Sequence, residues 1–181
     1  MKKIISLISI LTFGLLVSGQ IEKNEIYITA GLVSGPFLVE SLNNMDFFAT
    51  EYSKDQITPI ITIGYQYTLS KKIKLGPEII FDRFWIEDKE NSYHFNSFLC
   101  HLSFIWIEKK KVSLYSGLSA GITFKKALEN VNGIPRSRKD RYFGFHLYTI
   151  GFDYKLPKFS FTINKGIGMS GLLNLGMKYR F

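Results

Sequence analysis

The segment CHLS, residues 100–103, carries the residue types of a nucleophilic site. His101 and Ser103 are two positions apart, so both side chains lie on one face of an extended strand. A histidine close to a serine is the minimum for a hydroxyl activated by a general base. The same pair is also an ordinary hydrogen-bonded couple in the interior of a fold. We interpret His101 in that structural way and nominate no catalytic residue.

The elements that carry these residues are strands of alternating polarity. Apolar and polar residues alternate with period two through most of the chain after the leader, and no convincing amphipathic helix interrupts them. The alternation predicts about eight strands of roughly ten residues each, the length of a tilted membrane-spanning strand. They cover residues 25–33, 57–69, 73–85, 93–107, 112–124, a sixth segment ending near 154, 159–165, and the C-terminal residues.

The connections between these strands alternate in length. Tight, lysine-rich turns follow strands two, four and six, whereas a long segment follows strand one and an intermediate one, residues 125–140, follows strand five. This order predicts an up-and-down antiparallel sheet with short turns and both termini at one end. Because proline cannot donate to a sheet ladder, we expect a strand to start at Pro59 and a bulge near Pro77.

The N-terminus predicts export. Two lysines precede an apolar run over residues 4–17 and small residues at 18 and 19, which is typical of a signal peptide over residues 1–19. The domain then covers residues 20–181. The apolar run is shorter than the roughly 20 residues that span a bilayer as a helix. The single Cys100 forms no intrachain disulfide, so burial and hydrogen bonding must hold the domain together.

The apolar parity of the strands needs an apolar partner. The alternation is clearest at the C-terminus, where every second residue is large and apolar, five in all. Hydrophobic residues make up 46% of the chain, which is a high fraction for a soluble secreted domain. A lipid bilayer is the partner that explains both, and open sheet edges cannot exist in hydrocarbon. The sequence therefore predicts an all-β fold, a closed up-and-down antiparallel transmembrane β-barrel of about eight strands. The five residues are Leu173, Leu175, Met177, Tyr179 and Phe181.

This pattern resembles the OmpA/OmpX-type outer-membrane β-barrels of Gram-negative bacteria. The resemblance covers the whole domain and implies a bacterial outer-membrane location, contact with outer-membrane lipids and a monomeric protein. It also implies that the barrel-assembly machinery recognises the C-terminal strand through the five residues just named. The family includes adhesins, lipid enzymes and proteins of unassigned role, so the resemblance alone implies no activity.

Charged side chains on the inward parity predict a polar network in the lumen. An eight-stranded barrel is just wide enough for side chains to fill its interior, and unpaired buried charge is costly. Opposite charges should therefore pair and plug the lumen rather than line a pore. We expect no metal and no cofactor. The predicted network consists of Lys74, Glu78, Asp82, His101, Lys178 and Arg180.

Two loops are candidate surface sites. The basic loop RSRKDR could bind lipopolysaccharide phosphates through Arg136, Arg138, Lys139 and Arg141. The alternative is an ordinary solvated loop. The first long loop is rich in apolar residues and acts either as a lid over the barrel mouth, which we favour, or as a binding surface. The formal charge of +8 is clustered in turns and loops, which argues against nucleic-acid binding. The apolar residues of the first loop are Phe37, Leu38, Met45, Phe47 and Phe48.

Strand six has aromatic residues on both parities, so its register is ambiguous. His146 shares a parity with Tyr148, Phe152 and Tyr154, which would place it toward lipid. A polar side chain is costly there. We expect a bulge or register shift that turns His146 inward.

Two other functions are kept as alternatives to a non-enzymatic barrel with a structural or surface-interaction role. Lipid A deacylases of the PagL type are barrels with a similar His-x-Ser, and here His101 and Ser103 match, but the alternation turns them to the lumen and no orienting glutamate can be assigned. The second alternative is a soluble periplasmic lipocalin-like binder of lipids or small molecules, in which the apolar parity would face inward.

Overall fold

A computed structural model describes residues 23–37, 56–86, 91–131 and 134–181. Nine strands lie in these ranges, of which β2 has two residues and the other eight are long. Among the described residues, no helix has the length and apolar character needed to cross a membrane. The strands are β1 (Asn24–Leu32), β2 (Gln56–Ile57), β3 (Ile60–Ser70), β4 (Ile73–Ile86), β5 (Asn91–Glu108), β6 (Val112–Val131), β7 (Ile134–Lys155), β8 (Phe159–Gly168) and β9 (Leu173–Arg180).

The eight long strands form a closed antiparallel ring. Each pairs with its neighbours in chain order, and β1 closes the ring by pairing with β9 from Glu25↔Arg180 to Leu32↔Leu173. The two-residue β2 adds a short pairing to the outer part of β4. The prediction of a closed up-and-down barrel of eight strands is confirmed. We call the end that holds the turns at residues 70–73, 108–112 and 155–159 the turn end, and the opposite end the loop end.

The outward face of the barrel is apolar on every long strand. Soluble proteins rarely expose such a continuous apolar surface, so this belt needs lipid around it. Across the middle and the turn end of the barrel, the inward face carries small and polar residues, the reverse of what a lipocalin-like binder requires. Examples of the outward residues, one from each long strand, are Ile28, Ile63, Phe81, Leu102, Ile122, Phe145, Phe161 and Leu175.

The interior has two layers. Polar side chains fill the middle and the turn end, whereas an apolar cluster fills the loop end, where Phe84 stacks on Tyr93 and Phe95 at ring-centroid distances of 5.3 and 5.6 Å. Phe37, from the segment after β1, packs edge-on against Phe84 at 5.3 Å. The cluster consists of Ile60, Ile80, Phe84, Tyr93, Phe95, Leu99, Ala127 and Met169.

The two prolines behave differently. Strand β3 begins at Ile60, directly after Pro59, as predicted. The bulge expected near Pro77 is absent, because β4 keeps one register with β5 from Ile73 to Ile86. On the other side, pairing with β3 passes from Gly64↔Glu78 to Tyr67↔Leu75 without a register change. The missing N–H of Pro77 therefore removes a hydrogen bond from the sheet ladder locally, and no extra residue is inserted into the strand.

The polar segment predicted as a loop after strand five is the outer part of a long hairpin. Strand β6 continues to Val131 and β7 begins at Ile134, with pairs such as Lys125↔Asp140 along the way. Because these two strand segments project into water, both of their faces carry polar side chains. Their amino-acid composition therefore cannot be told from that of a loop. Facing opposite charges favour such a ladder. Residues 136–141 therefore lie on a strand.

A bulge in β7 explains its aromatics of both parities. The pairing of β7 with β8 shifts between Tyr148 and Ile150, which leaves Thr149 as the extra residue. Before the bulge, His146 and Tyr148 point inward and are buried; after it, Phe152 and Tyr154 point outward. The expected inward turn of His146 is thus observed. The placement of Tyr148 on the lipid-facing parity was wrong, since parity cannot be extended across a bulge.

Candidate functional site

The centre of the lumen is organised around the carboxylate of Glu78. This residue lies on the inward face of β4 and is 1% exposed. Its Oε2 accepts hydrogen bonds from the hydroxyl of Tyr27 at 2.6 Å and from that of Tyr148 at 3.2 Å. Ser119 on β6 also donates to it. Side chains from three other strands therefore converge on one carboxylate.

His101 extends this arrangement along β5. Its Nδ1 lies 2.7 Å from Ser119 Oγ and 3.5 Å from Glu78 Oε2, and its Nε2 lies 2.6 Å from Ser103 Oγ. Gln66 donates from Nε2 to the same Ser103 oxygen at 2.8 Å. A neutral His101 protonated at Nδ1 satisfies all of these bonds. The hydrogen bonds then form a chain in which each group donates to the next. It begins at Gln66, passes through Ser103, His101 and Ser119, and ends at Glu78.

Glu78 is the glutamate near His101 that the sequence could not assign. The two residues are 23 positions apart and belong to adjacent strands, and no spacing rule relates them. Glu78, His101 and Ser103 have the residue types of a hydrolytic triad. However, the Glu78–His101 separation exceeds a hydrogen bond, and Ser119 occupies the intervening position.

Space around these groups is small. A cavity of about 10 Å³ lies beside Tyr27, Gln66, His101 and Tyr148. That volume holds about one water molecule. Ser103 does not line this cavity and is itself buried.

Two ion pairs form a second polar layer nearer the turn end. Lys74 Nζ lies 2.7 Å from Glu25 Oε1, and Lys178 Nζ lies 3.0 Å from Asp153 Oδ2. Lys178 also sits 4.2 Å from the centroid of the Tyr115 ring. All four charged side chains are buried, so each charge depends on the opposite charge beside it to offset the cost of leaving water.

The predicted lumen residues divide between these layers. Glu78 and His101 lie in the centre, Lys74 and Lys178 in the ion-pair layer, and Asp82 is buried toward the loop end, where Ser34 hydrogen-bonds it. Arg180 does not join them. Its guanidinium donates to the backbone carbonyls of Leu156 and Phe159, because it stands at the end of β9 beside the β7–β8 turn.

Several members of the network were not predicted as site residues. Their inward parity was the available signal on β1, β3 and β6. The charge of Glu25 was a further signal that could have selected it, whereas the uncharged residues gave no reason to select one over another. On β7 the bulge at Thr149 changes which parity faces inward, so the sequence pattern did not show that Tyr148 points into the lumen. These residues are Glu25, Tyr27, Gln66, Tyr115, Ser119, Tyr148 and Asp153.

The glycine-rich segment after β8 folds into the barrel mouth rather than forming a simple exposed turn. Gly168 and Gly171 have φ of 130° and 102°, which other residues rarely adopt, and between them Met169 and Ser170 are buried. The Ser170 amide donates to His146 Nδ1 at 3.2 Å, and its hydroxyl donates to Tyr148 at 3.2 Å. Residues 168–171 therefore pack into the loop-end side of the lumen, next to Tyr148.

The other predicted site residues lie on the surface of the barrel. Leu173, Leu175, Met177 and Tyr179 point outward from β9, and the Phe181 ring stacks on Tyr179 at 6.0 Å. The basic residues lie on the exposed outer arm of β7, and one of them, Arg138, pairs with Asp140 at 2.7 Å. Phe37 contacts the apolar cluster, and the other four apolar residues of the first loop fall outside the described residues. The basic residues are Arg136, Arg138, Lys139 and Arg141.

No metal site is evident in the described ranges. Residues 23–37, 56–86, 91–131 and 134–181 contain no group of three or more histidine, cysteine, aspartate or glutamate side chains that could hold an ion.

Comparison with known proteins finds similarity of structure alone. No family model and no curated protein matches the chain. Neisserial surface protein A matches with a TM-score of 0.50 and 10% identity over 91% of this chain and 100% of that one. Ail of Yersinia pestis gives 0.49 and 16%, and the N-terminal β-barrel domain of Pseudomonas aeruginosa OprF gives 0.49 and 13%, each over 87% of this chain and 96% of the other. With its closed ring and apolar belt, this chain has the fold of the small eight-stranded outer-membrane β-barrels.

Proposed function

We propose that this protein is an integral outer-membrane barrel, non-enzymatic, with a structural or surface-interaction role and a lumen plugged by its own side chains. The observation that carries the proposal is the pairing of an apolar outer belt with an interior whose described cavity holds about one water. An apolar outer belt is stable only in lipid. Because the interior is filled by side chains, a partner can bind at the outer surface and at the loop end.

The partners follow from this location. Residues 1–19 direct export, and the barrel-assembly machinery recognises the C-terminal strand that ends at Phe181. Outer-membrane lipids cover the belt, and lipopolysaccharide phosphates contact the basic arm of β7. We also propose a monomer, since the closed ring leaves no sheet edge within the belt through which a second copy could pair.

Fractionation and electrophoresis test the location and the barrel together. The mature protein should appear in the outer-membrane fraction and migrate differently in SDS before and after boiling, since a closed barrel stays folded in SDS until heated. Soluble periplasmic protein with no heat-dependent shift would overturn the proposal.

Conductance tests the plug separately. Purified protein inserted in a planar bilayer should give no steady ion current, because the ion pairs and the Glu78 network occupy the lumen. A stable open level would contradict a plugged lumen while leaving the membrane location intact.

A second candidate function is hydrolysis of a lipid ester at Ser103. One observation favours it, the short contact between Ser103 Oγ and His101 Nε2 with Glu78 close behind. The burial of all three residues argues against it. Mass spectrometry of lipid A from cells that express the protein or its Ser103→Ala variant separates the two functions. Identical lipid A is expected, and loss of a deacylated species in the variant would establish the enzyme.

A further inference from the structure

The barrel wall is uneven at the loop end. Strand β8 stops at Gly168, which pairs with His146, whereas β7 extends twelve residues further out to Ile134. Among the described residues, no strand pairs with this outer arm of β7 on the β8 side. A cleft of about 590 Å³ lies there, bordered by the outer arm of β7, by Gly35 and Pro36 after β1, and by Met169.

The cleft joins the outside of the barrel to its apolar interior. Phe143 and Ile167, 69% and 56% exposed, face outward in the lipid-contacting belt. Phe95 and Met169 line the same cleft but belong to the buried apolar cluster. An apolar path therefore leads from the surrounding leaflet into the barrel mouth. Its volume is within the range of about 300–1,000 Å³ that small-molecule sites occupy.

Positive charge also lines the cleft. Arg138 and Arg141 border it together with a single acidic residue, Asp140, and Lys125 Nζ lies 5.8 Å from the centroid of the buried Phe95 ring. Arg138 is 73% exposed in its side chain and contacts Asp140 through Nε at 2.7 Å. Arginine suits phosphate because its planar group can donate two parallel hydrogen bonds.

We infer that this cleft binds a phosphorylated, acylated lipid of the outer leaflet, with one acyl chain against Phe95 and Met169 and a phosphate beside Arg138 and Arg141. The inference rests on the proposed membrane location and deepens it. Charge and apolar surface occur here in the order in which such a lipid presents them. A soluble anion would use the arginines and leave the apolar path empty.

Native mass spectrometry from a neutral maltoside micelle tests this. The probe is bisphosphorylated lipid A, compared with a zwitterionic phosphatidylcholine. We expect one retained lipid A per protein and at least tenfold weaker retention of phosphatidylcholine. Ile167→Trp, which fills the cleft, and the double variant Arg138→Gln/Arg141→Gln should each weaken lipid A retention at least tenfold.

Matched controls lie away from the cleft. Ile163→Trp places the same ring on the outward face of β8, and Lys109→Gln/Lys110→Gln removes the same charge from the exposed β5–β6 turn at the other end of the barrel. Both should retain lipid A within twofold of the wild type. Inorganic phosphate at millimolar concentration should not displace the lipid.

Three results would overturn the inference. They are an unaffected Ile167→Trp variant, equal losses from the two charge variants, and displacement by inorganic phosphate. The heat-dependent electrophoretic shift is measured on the wild type and on every variant. A folded wild-type barrel that fails to retain lipid A therefore also refutes the cleft and leaves the membrane location standing.

Discussion

Tyr148 on β7 donates a hydrogen bond to Glu78 on β4 across the lumen, over a distance of 3.2 Å. Strands β5 and β6 lie between these two strands in the ring. Tyr27 reaches the same carboxylate oxygen from β1 at 2.6 Å. Three parts of the wall are thereby tied to one buried acceptor, and the stability of the barrel should depend on these bonds jointly.

A double-mutant cycle tests that joint dependence. Tyr27→Phe and Tyr148→Phe should each lower the free energy of unfolding by about 1–3 kcal/mol, because each removes a donor to a buried charged acceptor. The double variant should lose more than the sum, with a coupling of about 0.5–3 kcal/mol. Urea unfolding in phospholipid vesicles measures this, with the outward Tyr154→Phe as control. Additive losses would contradict a shared carboxylate.

The Lys178–Asp153 pair should be costly to break from one side. Lys178→Met leaves a buried carboxylate without its cation and should cost about 3–5 kcal/mol of unfolding free energy. The double variant Lys178→Met/Asp153→Leu should recover much of that loss, because no uncompensated charge remains. Arg138→Gln breaks an exposed pair and should cost at most about 1 kcal/mol. A double variant less stable than Lys178→Met would contradict this.

Gly64 should not tolerate a side chain. It pairs with Tyr27 across β1 and β3, and a Cβ atom at Gly64 would overlap Cζ of the Tyr27 ring. Gly64→Ala should therefore lower the free energy of unfolding by about 1–3 kcal/mol through overpacking. It should also displace the tyrosine from Glu78. Thr68→Ala, at a half-buried position of the same parity on β3, is the control, and equal losses would show that the ring contact is unimportant.

The apolar belt should respond to charge according to depth. Ile28→Arg, at the middle of β1, should cost about 2–4 kcal/mol of unfolding free energy in vesicles, whereas Leu69→Arg, near the turn end of β3, should cost about 0–1 kcal/mol. Both residues are exposed and outward, so the chemical change is matched. Equal small effects would indicate that water rather than lipid surrounds the barrel.

The barrel could be predicted because its evidence is local. The alternation of Leu173, Leu175 and Met177 with small or polar residues defines a lipid-facing strand without reference to any other part of the chain. Tight lysine-rich turns order such strands up and down. The outer arms of β6 and β7 were misassigned for the same reason, since a hairpin in water and a loop in water have similar composition.

The network in the lumen was only partly predictable. Parity placed Lys74, Glu78, His101 and Lys178 inward, but it could not say which would meet. Glu78 joins His101 rather than a lysine because the β4–β5 register and the presence of Ser119 bring them together. Tyr148 was assigned to the wrong face because the bulge at Thr149 reverses the parity of β7.

The sequence by itself determined that the chain forms strands with one face for lipid and one for a polar interior, because side-chain alternation is a property of each strand alone. The tertiary structure decided the partners of every buried charge, the inward fold of Ser170 and the cleft beside β7. Those features depend on strand register, on single-residue bulges and on unequal strand lengths around a closed ring, which arise only when all eight strands pair.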